Sequence, residues 1–276
     1  MSEALEYLRQ GDPGAALASL QAAVRAEPAD AKHRVFLFQL LCVLGQWERA
    51  LTQLNVAGDL DAGTLGMVQV YREALRSEAL RADVFAGRRS PLIFGEPEPW
   101  IALLLEALRL TAAGEYAHAA ALREQAFEQA PATSGRIDDR PFEWIADADP
   151  RIGPMLEAIV NGRYYWIPFH RIAELRLEEP TDLRDLVWLP AEVRWANGGD
   201  AVALIPARYP AADSDTDPSF ALARKTDWVE LADGLFIGRG QRMLATDIDE
   251  HALLSTRVIA LGDAAAADPG ADAGSP

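Results

Sequence analysis

The acids with the most ligand-like spacing are Asp147 and Asp149 in "DADPRIGPMLEA", set like the first two ligands of a calcium loop. The loop fails after them. The next ligand position is Arg151, the glycine position is Ile152 and the twelfth position is Ala158. The same stretch reads as the start of a short helix, with Asp149 as N-cap, Pro150 at the first position and Asn161-Gly162 closing it. His33, His118, His170 and His251 are scattered singly. An acid-base histidine needs a partner within hydrogen-bond reach, and none is visible near His170, which reads as a packed or backbone-bonded residue. "GRGQRM" (238–243) lacks the third glycine of a dinucleotide fingerprint and has no helix to follow, so it reads as a turn. No G-x-S-x-G elbow, Walker loop or H-E-x-x-H is present, and the one cysteine, Cys42, sits in an apolar helical stretch. Arg184 and Asp185 read as an internal ion pair. These residues point away from catalysis, and a cryptic hydrolase would have to use Asp147, Asp149 or His170. No cofactor or metal is expected.

The elements that must position these residues begin with a repeat. "GDPGAALASLQAAVRAEP" from Gly11 and "GQWERALTQLNVAG" from Gly45 align with Ala16 over Ala50, Leu20 over Leu54 and Ala23 over Ala57, and a third copy from Gly114 supplies Ala119, Ala126 and Pro131. The spacing between the first two copies is that of a tetratricopeptide repeat, with Gly at the turn, Ala where helices touch and Pro after the second helix. Small residues let helices approach, and Pro ends a helix because it lacks an amide donor. Between the copies, "TLGMVQVYREALRSEALRADVFAG" reads as one long amphipathic helix and "RRSPLIFGEPEPW" as a connection. "AKHRVFLFQLLCVLG" is apolar on most sides, which predicts burial on two faces. Laying the copies on the repeat places Leu5 and Leu8, then Val35, Gln39 and Cys42, then Ile101, Leu104 and Leu108 on the concave surface. Such an apolar face must be covered by a partner helix or by the rest of the chain, and an elongated trough suits a partner helix.

After Pro131 the pattern changes. "PATSGRIDDRPFEWIADADPRIG" reads as a turn-rich acidic connection, and "RYYWIPF", "RIAELRL", "AEVRW" and "AVALIPARY" read as strands, with "ANGGD" a hairpin turn. "DWVELADGLFIGRGQRMLATD" and "HALLSTRVIAL" add two or three more. Tyr164, Tyr165, Trp166 and Phe169 alternate along one strand, so they can build a core against the helices; they are also a secondary candidate interface. The expected organisation is α+β: a helical repeat domain over 1–131, a mixed strand-rich domain over 132–261, and a disordered tail over 262–276 that has no aromatic residues.

Composition narrows the partners. With 42 acids against 26 bases and a formal charge of −16, the long-range field repels nucleic acid and anionic lipid. "MSEALEYLRQ" does not read as a secretory signal, and the apolar run "IALLLEALRL" is broken by Glu106 and Arg109, far short of the roughly 20 residues a span needs. A single cysteine fits a reducing compartment, so the cytoplasm is expected.

The run "PFEWIADADPRIGPMLEAIVNGRYYWIPFHRI", with "LRDLVWLPAEV", "IPARYP", "GQRMLATD" and "HALLSTRVI", resembles the ImpE/SciE family, also called TagJ, over about Leu5 to Leu261. The resemblance implies an accessory protein of type VI secretion that binds the N-terminal helix of the small sheath subunit TssB and bears on sheath handling by the ClpV ATPase. It implies no catalytic residue. A general repeat adaptor or chaperone for another protein is the alternative.

Overall fold

The computed structural model describes residues 2–210 and 217–262. The stretch read above as a tail lies, beyond Gly262, outside the described residues. The repeats fold as three helix pairs: α1 (Ser2–Arg9) with α2 (Pro13–Ala26), α3 (Ala31–Val43) with α4 (Trp47–Leu60), and α6 (Pro99–Ala112) with α7 (Tyr116–Gln129). A single long helix, α5 (Leu65–Phe85), separates the second pair from the third. Gly11, Gly45 and Gly114 turn the pairs with φ of +80°, +67° and +79°, a backbone region that a side chain resists. Ala16, Ala50 and Ala119 have no exposed surface, as their place at the helix contacts requires. In α3 every residue from Leu37 to Val43 is buried, so that helix does have neighbours on all sides.

The strands are β1 (Leu92–Ile93), between α5 and α6, then β2 (Gly135–Ile137), β3 (Arg140–Phe142), β4 (Ile145–Asp147), β5 (Met155–Val160), β6 (Arg163–Pro168), β7 (Ile172–Leu177), β8 (Trp188–Trp195) and β9 (Asp200–Pro206). A short helix α8 (Pro218–Ala221) leads to β10 (Thr226–Ala232), β11 (Leu235–Gly240), β12 (Met243–Thr246), β13 (Glu250–Ala252) and β14 (Val258–Leu261). Nine strands form one sheet in the order β1-β6-β5-β9-β8-β7-β14-β2-β3, while β10-β11 and β13-β12-β4 form smaller sheets.

Two expectations are corrected here. The segment read as a helix capped by Asp149 is a turn followed by β5, antiparallel to β6 from Met155–Pro168 to Val160–Arg163. All six β5 residues are buried, so the strand has no polar alternation to betray it. The connection read as turn-rich holds three short strands, with Asp138 and Asp139 at φ +43° and +68° making the two-residue turn between β2 and β3.

The period-two alternation of the central strands divides the interior. Met155, Ile159, Tyr164, Trp166, Trp188 and Leu204 join a core with Leu20, Phe38, Leu54, Val84 and Leu104 of the helices. Their neighbours Leu156, Ala158, Val160, Ile167, Leu189, Val193 and Ile205 point the other way, into a second core with Ile137, Leu244 and Ile259. The helices therefore cover one face of the sheet, and the remaining strands enclose the other.

Candidate functional site

The residues assigned to a concave trough are mostly inside the protein. Leu8, Gln39, Cys42, Ile101, Leu104 and Leu108 are buried, Val35 is half-buried and Leu5 is exposed. The trough expected to stand open is filled, because the sheet residues Met155, Tyr164, Trp166 and Trp188 pack into the same core. Of the aromatic run, Tyr164, Trp166 and Phe169 are buried and Tyr165 is half-buried, so three of the four serve the fold. Trp188 packs at a tilt against Trp47 and Tyr71 at centroid distances of 5.8 and 5.9 Å, and Trp166 lies 5.9 Å from Phe85. Burial pushes the Cys42 thiol well up, which disfavours the thiolate.

Beside that shared core, a buried network of charges also spans helices and sheet. Arg81 of α5 grips Glu157 of β5 through Nε at 2.8 Å and Nη2 at 3.1 Å, and the same guanidinium donates to the Arg208 carbonyl at 2.7 Å. Arg242, with no exposed surface, donates to Glu157, to Asp147 and, at 2.8 Å, to the Pro206 carbonyl. Tyr164 donates its hydroxyl to Glu157 and accepts from the Trp166 indole at 2.7 Å. Glu78 accepts from the Trp188 indole at 2.9 Å. Arg208 reaches the carbonyl end of α3, donating to Val43 at 2.8 Å. Burial works against ionising Glu157, but Arg81 and Arg242 overcome it and hold its carboxyl at about 2. Asp147 is pushed up to about 7: burial dominates, Arg242 opposes it, and nearby Asp149 and Glu157 add to the rise.

The remaining sequence candidates find ordinary roles. Asp149 does not cap a helix; it accepts from the Arg151 and Gly238 amides at 2.9 and 3.0 Å and pairs with the Arg151 guanidinium at 2.6 Å. Arg184 pairs with Asp182 rather than with Asp185, at 2.6 Å, while Asp185 accepts from the Thr181 and Asp182 amides. "GRGQRM" is the end of β11 and the turn at Gly240, φ +81°, leading to β12. His170 does have a side-chain partner: Nε2 stands 3.0 Å from Glu98, which also accepts from Trp100 and Arg171. Burial resists charge on Glu98, yet those donors keep its carboxyl below the usual range. The pairing ties the loop before α6 to the sheet. Glu27, Asp30 and His33 bring three potential metal-ligand atoms within 4.8 Å of one another, but Asp30 is the N-cap of α3 and accepts from the Lys32 amide at 2.7 Å.

Two surface features were missed in the sequence. One is an apolar cavity of about 390 Å³ between the end of α7 and β4, lined by Phe127, Pro131, Trp144, Pro150, Pro154 and Ala245 among others. Phe127 and Trp144 stand 17 residues apart, and nothing local in sequence links them. The other is a cavity of about 570 Å³ at the seam between helices and sheet, where Trp47, Glu78, Arg208 and Phe220 meet.

Comparison with known proteins follows the two halves. The ImpE protein family matches residues 139–260, and a tetratricopeptide repeat matches residues 7–65. A protein of Pseudomonas aeruginosa described as type VI secretion system accessory component TagJ is 54% identical over 252 residues, covering 91% of this chain and 88% of that one. The X-ray crystal structure of protein VPA1032 from Vibrio parahaemolyticus is 26% identical and superposes with a TM-score of 0.85 over 94% of this chain and 97% of its own.

Proposed function

This chain belongs to the ImpE family, and on that premise we propose that it is a non-enzymatic accessory protein of a type VI secretion system, an adaptor that binds the N-terminal helix of the small sheath subunit TssB and is linked through it to sheath handling by the ClpV ATPase. The observation that carries this reading is the 54% identity to the Pseudomonas aeruginosa accessory component over nine-tenths of the chain. The geometry supports the non-enzymatic part. Asp147 and Glu157 are buried against Arg242 and Arg81, and Asp149 is buried against Arg151, so these acids are engaged in structural pairs. The tetratricopeptide match supports recognition of a protein partner.

The test uses the full chain and purified TssB in two forms, intact and lacking its N-terminal helix. Titration calorimetry is expected to show binding to the intact subunit and none to the truncated one. Equal affinity for both, or for neither, overturns the proposal. A pull-down that recovers a different protein and no sheath subunit moves the reading to a general repeat adaptor.

A further inference from the structure

The structure leaves two large aromatics partly in solvent at one place. Phe127 is 39% exposed and Trp144 40%, and both line the cavity of about 390 Å³ beside the end of α7. Monomers seldom leave paired aromatics around an apolar hollow without a use for them. The hollow depends on the backbone as well. Gly153 has φ +55°, and a Cβ there would stand 2.4 Å from a ring carbon of Phe127, so the ring lies against a position that only glycine can supply.

The rim has a different character from the floor. Exposed Glu124 and Glu128 flank Phe127 on α7, one turn apart, and exposed Glu143 and Asp247 flank Trp144. Asp247 is fixed there, accepting from the Glu143 amide at 2.7 Å. The neighbouring cations are engaged: Arg140 with Asp249 at 3.2 Å, Arg151 with Asp149 at 2.6 Å, and Arg123 with the Thr111 hydroxyl at 2.9 Å. The formal charge of −16 adds a long-range pull on a basic partner.

We infer that the Phe127–Trp144 cavity seats a basic amphipathic helix of a partner protein, which inserts a bulky apolar side chain between the two rings and sets Lys or Arg against the carboxylates on either flank. A helix fits better than an added strand. The β4 edge at this place is three residues long, and its Asp147 amide already donates to the Gly153 carbonyl at 2.7 Å. This inference rests on the reading of the protein as an adaptor for the TssB N-terminal helix, and it assigns that helix a seat outside the buried repeat face.

The probe is a fluorescent peptide of the TssB N-terminal helix, titrated against the full chain at two salt concentrations. Phe127→Ala combined with Trp144→Ala is expected to weaken binding by at least about 30-fold, the range of a hot spot. Glu124→Lys with Glu128→Lys is expected to weaken it by about tenfold at low salt and to reduce its salt dependence. Melting temperatures should be nearly unchanged for the charge-reversal pair, whose side chains are exposed, and the alanine pair, whose rings are only 39% and 40% exposed, is compared at a temperature where circular dichroism shows it folded. Leu65→Ala, at a 55% exposed site on α5, is the control and should bind as the parent does. A further readout needs no variant: hydrogen exchange of the parent should slow over 124–131 and 141–150 when peptide is added. If the parent binds the peptide while the variants bind equally well and exchange slows elsewhere, the seat is wrong and the adaptor reading survives. If the parent binds neither the peptide nor intact TssB, the adaptor reading fails and this inference falls with it.

Discussion

Leu156 and Glu157 are neighbours in β5, yet they enter two interiors of opposite character. Leu156 joins a core of hydrocarbon enclosed by strands, with Ala158, Ile167, Val193 and Ile259 around it. Glu157 points at the helices and meets Arg81, Arg242 and Tyr164. The difference teaches what each interface has to specify. A sheet interior closes through many interchangeable apolar contacts, and a hydrophobic group of about the right size suffices there. A repeat array laid on a sheet could slide along it. Charges that are costly unless partnered in one geometry penalise every register but the native one.

The largest effect should come from placing a lone charge on the helix side. Leu104→Glu puts a carboxylate into the core shared by helices and sheet, where only 1% of the residue is exposed. The variant is expected to show no cooperative melt by circular dichroism. A melt within a few degrees of the parent would mean that the repeats lift off the sheet easily and that their inner face is available after all. Next comes the network itself. Arg242→Met leaves Asp147 and Glu157 without one of their cations and should cost about 3–5 kcal/mol in a denaturant titration. A cost under about 1 kcal/mol would show that packing alone fixes the joint. Within the helical half, Ala50→Leu should cost about 1–3 kcal/mol by overpacking α3 against α4, since Ala50 has no exposed surface. A neutral result would break the assignment of Ala50 to the helix contact.

The two regions also differed in how far they could be read from sequence. The helix pairs were legible because glycine at the turn and alanine at the contact recur with a fixed period, and Gly11, Gly45 and Gly114 do occupy left-handed turns. Strands with one half-exposed face, such as β8 with its alternating burial, were legible too. β5 was not, because both of its faces are covered, and because Asp149-Pro150 imitates a helix start while serving a turn. The charge network could not be seen at all: Arg242 lies 85 residues from Glu157 and 95 from Asp147. The same holds for His170 and Glu98, 72 residues apart. Of the positions the repeat pattern set on one face, Leu8, Gln39, Cys42, Ile101, Leu104 and Leu108 are buried while Leu5 is exposed and Val35 half-buried, and the pattern could not say that the sheet would cover that face, since nothing in a periodic pattern encodes the partner across a core.

Titration separates the two acids of the network. Asp147 has its folded value raised to about 7 from an unfolded value near 3.8, so its contribution is fully present below about pH 4 and is lost as the pH rises towards 7. Glu157, held at about 2, contributes above about pH 4.5 and loses that contribution as the pH falls towards 2. Of the two, Asp147 gives a decline on the neutral side and Glu157 one on the acid side, each of at most about 1.4 kcal/mol per pH unit. Asp147→Asn should flatten the neutral-side decline while leaving the acid limb in place. A profile whose neutral limb is the same in both proteins would mean that Asp147 is ionised throughout.

The smallest effect tests whether burial, rather than ion-pair geometry, gives the network its influence. Glu106 and Arg109 make a pair on α6 as well formed as the one at Glu157, with two hydrogen bonds at 2.6 and 2.9 Å, but both side chains are about half exposed. The hydrogen bonds from Arg109 hold the Glu106 carboxyl below its usual range, so the pair does form. Water would solvate either partner alone and salt would screen the two, so breaking such a pair leaves nothing stranded. Glu106→Gln should therefore melt with the parent at both low and high salt. Glu157→Gln makes the same chemical change against two buried guanidinium groups, and should lower the melting temperature sharply at any salt concentration. If the two substitutions proved equally mild, the helix–sheet joint would owe its register to packing, and the contrast between the two faces of β5 would be one of composition only. If Glu106→Gln were as damaging as Glu157→Gln, the outer face of α6 would have to be covered in solution, and the accessible surface of the repeats would need to be redrawn.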